Sequence, residues 1–188
     1  MSDTAVTGLP LARLHKFVLR PGDLVDVDGA LQDDGGTVLL LPLGDDDGPK
    51  AGEPVGAGVP IRLPADSTAA PAEVVTVVGQ WTGTEIVAAY VQTAPTPRTL
   101  RRLTRTRARE PRLPRPPANE GRAAMDFLVS DDVPDGLLVA FGSEVQEDGS
   151  DLELAWFTLV TPPVAERLVD VPPEQLAVDV WLVPARPS

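Results

Sequence analysis

The residues best equipped for chemistry in this chain are arginines, and they are crowded together. Eight of the sixteen basic residues (Arg98, Arg101, Arg102, Arg105, Arg107, Arg109, Arg112 and Arg115) fall in one short window with a single acid, Glu110. The window carries about +7, which leaves about −19 elsewhere in a chain whose formal total is −12. Guanidinium groups grip carboxylates and phosphates through paired hydrogen bonds, so a segment charged like this must meet an anion. Three anions are candidates: an acidic partner, the acidic surface of this chain or of a second copy, and the phosphates of a nucleic acid. The stretch Thr99 to Glu110 lacks proline and can form three turns of helix. On such a helix Arg98, Arg101, Arg102, Arg105 and Arg109 follow three- and four-residue steps and make one basic stripe, while Leu100 and Leu103 point elsewhere. No aromatic residue lies between Tyr90 and Phe127, so the segment brings no base-stacking groups of its own.

Catalytic constellations are missing. His15 is the lone histidine, next to Lys16, and reads as a surface or helix-end residue. Cysteine is absent, which removes disulfides, thiolate nucleophiles and the common zinc sites. The two lysines, Lys16 and Lys50, follow no phosphate-loop glycine spacing, and Gly56-Ala57-Gly58 lacks the third glycine of a dinucleotide fingerprint. Gly142-Ser143-Glu144 falls within an expected strand, not at the strand-to-helix elbow of a hydrolase nucleophile. Carboxylates leave two narrow openings. Asp23, Asp26 and Asp28, or the run Asp45, Asp46 and Asp47, are hard ligands of the kind calcium and magnesium accept, but neither set has the spacing of a calcium loop, and acidic turns are usually just solvated. Glu144 and Glu153 fall opposite one another in the expected hairpin register, as a hydrolase pair or as an acidic docking face for arginine. The sequence therefore specifies no catalytic residue, no cofactor and no metal.

Composition narrows the class. Hydrophobic residues make up 43%, enough for a folded core, but aromatics are only 4%, so that core is built from Val, Leu and Ala and leans toward strands. The preference for Arg over Lys, with abundant Ala, Pro and Gly, is what a GC-rich genome encodes, so clustering and not abundance carries the arginine argument. No apolar run is long enough to span a bilayer, and the N-terminus lacks the basic start and apolar stretch of a signal peptide. A cytoplasmic protein without membrane contact is expected.

Three zones follow along the chain. In residues 1–92, Leu9, Leu11, Leu14 and Val18 form a short helical stripe limited by Pro10 and Pro21. Five Val- and Leu-rich runs come next: Asp23–Leu31, Thr37–Leu43, Val59–Leu63, Val74–Trp81 and Thr84–Gln92, divided by Asp- and Gly-rich turns. A two-residue turn at Thr82-Gly83 pairs Val75 with Tyr90 and puts Val75, Val77, Trp81, Ile86 and Tyr90 on one core face, with Gly79 at a bulge or bend. Residues 93–117, rich in Arg and Pro, read as a linker or basic helix. Residues 118–188 read as a small α+β unit. Met125–Val129 is its first strand, and a hairpin at Asp148-Gly149 pairs Phe141 with Trp156, Val145 with Leu152 and Leu138 with Leu159. Thr161 caps a short helix to about Val169, and Leu176–Val183 is a final strand. Trp81, Phe141, Trp156 and Trp181 are the expected aromatic core.

The glycine and strand spacing of the first zone resembles an OB-fold barrel. Gly22-Asp-Leu-Val-Asp-Val-Asp-Gly29, Val38–Leu41, Val74–Trp81 and Glu85–Ala89 are similar to that family's first, second, fourth and fifth strands, while the stretch between the third and fourth leaves little room for the usual capping helix. The resemblance covers under half the chain. It implies a mainly β fold, an OB-like small barrel followed by the α+β unit, and a ligand class of single-stranded nucleic acid or oligosaccharide. The expected function is a non-catalytic interaction or assembly protein whose arginine segment docks on an acidic partner or on itself. The alternatives are a single-stranded nucleic-acid binder with a basic arm and a carboxylate-dependent hydrolase.

Overall fold

A computed structural model describes residues 11–44, 53–93, 126–130, 133, 136–145, 151–168, 170–171 and 175–185. The protein is mainly β. A 3-10 helix, Leu11–Lys16, leads into five strands: β1 (Leu24–Asp34), β2 (Thr37–Leu41), β3 (Val59–Arg62), β4 (Val74–Trp81) and β5 (Ile86–Thr93). They close into a barrel in the order β1-β2-β3-β5-β4, with β3 and β5 parallel and the other pairs antiparallel. A second, three-stranded sheet orders β6 (Leu138–Val145), β7 (Asp151–Leu159) and β8 (Leu176–Leu182), with helix α1 (Pro162–Leu168) crossing from β7 to its parallel neighbour β8.

Period-two alternation explains the barrel wall. Val25, Val27 and Leu31 of β1, Leu40 of β2, Val59 and Ile61 of β3 and Val75 and Val77 of β4 all point inward and are buried. Closure requires β1 to serve two neighbours. It pairs with β4 from Leu24 to Ala30 and with β2 from Ala30 to Asp34. Gly29 sits at that hand-over, where a Cβ would lie 2.6 Å from the Leu41 carbonyl oxygen, so only glycine fits. The β1–β2 hairpin turns on Gly35 and Gly36, both at positive φ, as a tight two-residue turn demands.

The β4–β5 hairpin turns where the sequence indicated, but through four residues and not two. Trp81 pairs with Ile86, and the Thr82 hydroxyl accepts from the Glu85 amide at 3.2 Å and donates to the Glu85 carbonyl at 3.1 Å, holding the longer loop. A slip of two residues keeps every side chain on its face, so Trp81 and Ile86 remain inside. A bulge between Val78 and Gly79 then adds a slip of one, and Tyr90 turns outward opposite Val78 instead of joining Val75 in the core.

The second hairpin carries the same lesson with larger effect. Val145 pairs with Asp151, and residues 146–150, which include the turn expected at Asp148-Gly149, lie outside the described residues. The register differs by one. Phe141 faces Ala155 and not Trp156, Leu138 faces Phe157 and not Leu159, and a further irregularity falls between Leu138 and Ala140. Phe141, expected in the core, lies on the outer strand in the row of buried Ala155 and is 49% exposed; Trp156 is half-buried, whereas Trp81 and Trp181 are buried. The strand expected at Met125–Val129 is replaced by a helical turn at 126–128. There the adjacent Phe127 and Leu128 are both buried, and the Ser130 hydroxyl donates to the Phe127 carbonyl at 2.7 Å. Helix α1 follows the expected pattern: Ala165 N–H donates to the Thr161 carbonyl at 2.9 Å, and Val164 and Leu168 face inward.

The two sheets share a core. Leu159, Trp181 and Leu182 of the C-terminal unit pack with the barrel's inner residues. The Trp181 ring N–H donates to the Asp28 carbonyl at 3.2 Å, in the part of β1 that pairs with β4 but not β2. The N-terminal segment clamps both units: Leu19 joins the barrel core, Leu14 and Val18 join Phe157, Val164 and Leu168, and Leu19 N–H donates to the Val160 carbonyl at 2.9 Å. Among the described residues no helix is long and apolar enough to cross a membrane.

Candidate interaction surface

Arg98, Arg101, Arg102, Arg105, Arg107, Arg109, Arg112 and Arg115 all lie outside the described residues, as do Asp45, Asp46 and Asp47. Glu144 and Glu153 belong to described strands, but they are not opposed. Glu153 pairs with Ser143, and Glu144 pairs with Leu152. The one-residue shift of register dissolves the carboxylate pair, and a hydrolase built on it has no geometric support. Glu153 is moreover buried, its amide donating to the Gln175 carbonyl at 2.8 Å, so it is not an open acidic face.

The exposed carboxylates sit elsewhere, on the outside of β1. Val and Asp alternate from Val25 to Asp28, which sends Val25 and Val27 into the barrel and Asp26 out to solvent. The roles of the acids diverge. Asp23 accepts the Arg20 amide at 2.7 Å and fixes the entry to β1; Asp26 is exposed; Asp28 is buried next to Trp181. Asp33 and Asp34 are exposed at the far end, where Asp33 accepts the Gly36 amide at 2.9 Å and steadies the turn. Among the described residues no three His, Cys, Asp or Glu side chains gather as a metal site.

Beside Asp26 runs a row that sequence reasoning missed. Asp26 faces Val78 on β4, and Val78 faces Tyr90 on β5, so a carboxylate, an aliphatic group and a phenol line up across three strands on the barrel exterior. Tyr90 is 52% exposed and donates its hydroxyl to Gln92 at 2.6 Å; Leu24, one strand position along, is 61% exposed. The signal that would have found this row is the Gly79 bulge, read for its consequence on face and not only on shape.

Basic charge is scarce on the same barrel. From Leu24 to Thr93 the chain has eleven acidic residues against Lys50 and Arg62, a net charge of −9. Arg62, exposed at the end of β3, is tied by a salt bridge to Glu85 in the β4–β5 loop. The parallel pairing of Arg62 with Val87 brings these two together across 23 residues, a contact no local pattern announces. On the outer side of β2 and β3, Leu39 faces Pro60, and neither strand carries an aromatic residue.

Compared with protein-family models, curated proteins and solved structures, the chain matches none.

Proposed function

We propose that this chain is a non-catalytic interaction or assembly subunit whose arginine segment, Arg98 to Arg115, docks on an acidic surface of a protein partner or of a second copy. The observation that carries the reading is the separation of charge. A window of about +7 follows directly on a barrel of −9 whose β1 exposes Asp26, Asp33 and Asp34. Guanidinium–carboxylate contacts between such surfaces are favourable and set both the rate and the specificity of association. The account is tested by replacing Arg101, Arg102 and Arg105 with Ala and measuring association by light scattering across a salt series. Association should weaken in the variant and in high salt; association indifferent to both would overturn the reading.

A second reading, a single-stranded nucleic-acid binder, is favoured by one observation, the closed five-stranded barrel. We propose an OB-type relationship for it on the strength of the strand and glycine spacing. OB barrels bind oligonucleotides through the face of their second and third strands and the β1–β2 and β4–β5 loops. Here that region offers Leu39, Pro60 and an Arg62 already engaged by Glu85, without the stacking aromatics such binding uses. Phosphates drawn to the arginine segment would also approach a polyanionic barrel, which opposes them. Protein docking is therefore the stronger of the two.

A further inference from the structure

The C-terminal sheet has two outer strands, each paired with β7 alone among the described residues. Among the described residues β6 pairs only with β7, while β8, the other outer strand, is buried along almost its whole length. Ala140, Phe141 and Gly142 are exposed in succession, so this strand is open on both faces. The row that crosses the sheet at Phe141 shows where the burial stops. Val178 on β8 is 0% exposed, Ala155 on β7 is 3%, and Phe141 on β6 is 49%. An apolar row that begins in the core runs out into solvent at an unpaired edge.

Natural sheets protect such edges with lysine, proline or inward charges. The strand Leu138-Val-Ala-Phe-Gly-Ser-Glu-Val145 has no lysine and no proline, and Glu144 is its sole charge. We infer that β6 is a self-association edge, pairing antiparallel with β6 of a second copy about a two-fold axis at Phe141. This goes beyond the arginine reading and does not depend on it.

Symmetry and charge select the occupant and the register. A two-fold axis normal to an antiparallel pair sets some residue opposite its own copy, and centring it on Phe141 faces the two exposed rings, a favourable cross-strand aromatic pair. Ala140 then meets Gly142 of the second copy. Among the described residues nothing lies within 4 Å of a Cβ built on Gly142, so that face of the strand is open there. Each Glu144 meets Leu138 of the other copy, leaving the two carboxylates about 20 Å apart along the ladder at ~3.3 Å per residue, beyond the reach of strong repulsion. Centring on Glu144 would instead oppose like charges. The result is a continuous six-stranded sheet in which the row of Val178, Ala155 and Phe141 is covered at its open end.

Light scattering of the full chain over a wide concentration range tests this. The wild type should move toward twice its 19.9 kDa mass as concentration rises. Phe141→Glu and Phe141→Lys each place like charges opposite one another and should stay at 19.9 kDa with unchanged far-UV circular dichroism. An equimolar mixture of those two variants should recover the doubled mass, since Glu then faces Lys across the axis. A wild type that remains monomeric, a Phe141→Glu variant that still dimerises, or a mixture that fails to recover the dimer would each overturn the inference. High salt removes arginine-dependent association, so the β6 dimer is the part of the association that should persist there, and replacing Arg101, Arg102 and Arg105 with Ala should leave that salt-resistant dimer intact. A dimer lost with those arginines but kept in Phe141→Glu would support arginine docking and overturn the edge.

Discussion

Every strand of the barrel has two neighbours, whereas among the described residues the outer strands of the C-terminal sheet, β6 and β8, have one each. The barrel reaches closure by placing glycine where backbone must touch backbone. A Cβ on Gly29 would come within 2.6 Å of the Leu41 carbonyl oxygen, and one on Gly79 within 2.5 Å of the Val87 carbonyl oxygen. The ladder is thinnest between β3 and β5, where only Ile86 and Val87 of β5 find a partner. The open sheet instead hides β8 and lends Leu159, Trp181 and Leu182 to the barrel core. Closure limits the sites for strand addition on the barrel, whereas an open sheet ends in outer strands.

If the two sheets depend on each other as this packing requires, the largest effect should come from the residue that joins them. Trp181→Ala removes a buried ring and its hydrogen bond to Asp28, and should cost about 3–5 kcal/mol in urea denaturation. The transition should remain single. Two separate transitions, with the barrel signal unmoved, would break the comparison by showing that the sheets are stable independently.

A smaller loss is expected where the barrel hands β1 from one neighbour to the other. Gly29→Ala forces a methyl against the Leu41 carbonyl and the Leu40 side chain, and should cost about 1–3 kcal/mol. A neutral result would mean that the wall opens there without penalty and that closure is loose. The smallest effect belongs to the exposed pair of Arg62 and Glu85, whose side chains are 67% and 26% exposed. Arg62→Ala should cost no more than about 1 kcal/mol, less in high salt. A larger loss would mark that bridge as the clasp between β3 and the β4–β5 loop.

The sequence made the elements legible and hid the registers. Alternation located all five barrel strands, with β4 placed from Val74 to Trp81 as expected, because Val- and Leu-rich runs bounded by Asp-Gly turns have few other conformations open to them. Helix α1 was equally readable from Thr161 and its prolines. What local chemistry could not reveal was loop length. Thr82-Gly83 and Asp148-Gly149 both read as two-residue turns, but the first connection holds four residues, and a register shift of one in the second hairpin parted Phe141 from Trp156 and Glu144 from Glu153. Tyr90 escaped for the related reason that one bulge reverses every face beyond it. Contacts such as Trp181 with Asp28, 153 residues apart, depend on how two sheets meet, which no window of sequence contains.

The central proposal, that the arginine segment docks on protein carboxylates and the barrel is no nucleic-acid platform, is tested most directly by titrating a labelled single-stranded oligonucleotide with the full chain from low to physiological salt. Any binding should come from the arginines alone. It should lose about 0.7 in log–log salt slope for each phosphate contact removed, ignore substitutions at Arg62 or Leu39, and vanish by physiological salt. Binding that persists at physiological salt and weakens when Arg62 or Leu39 is replaced would make the barrel a nucleic-acid platform and contradict the claim.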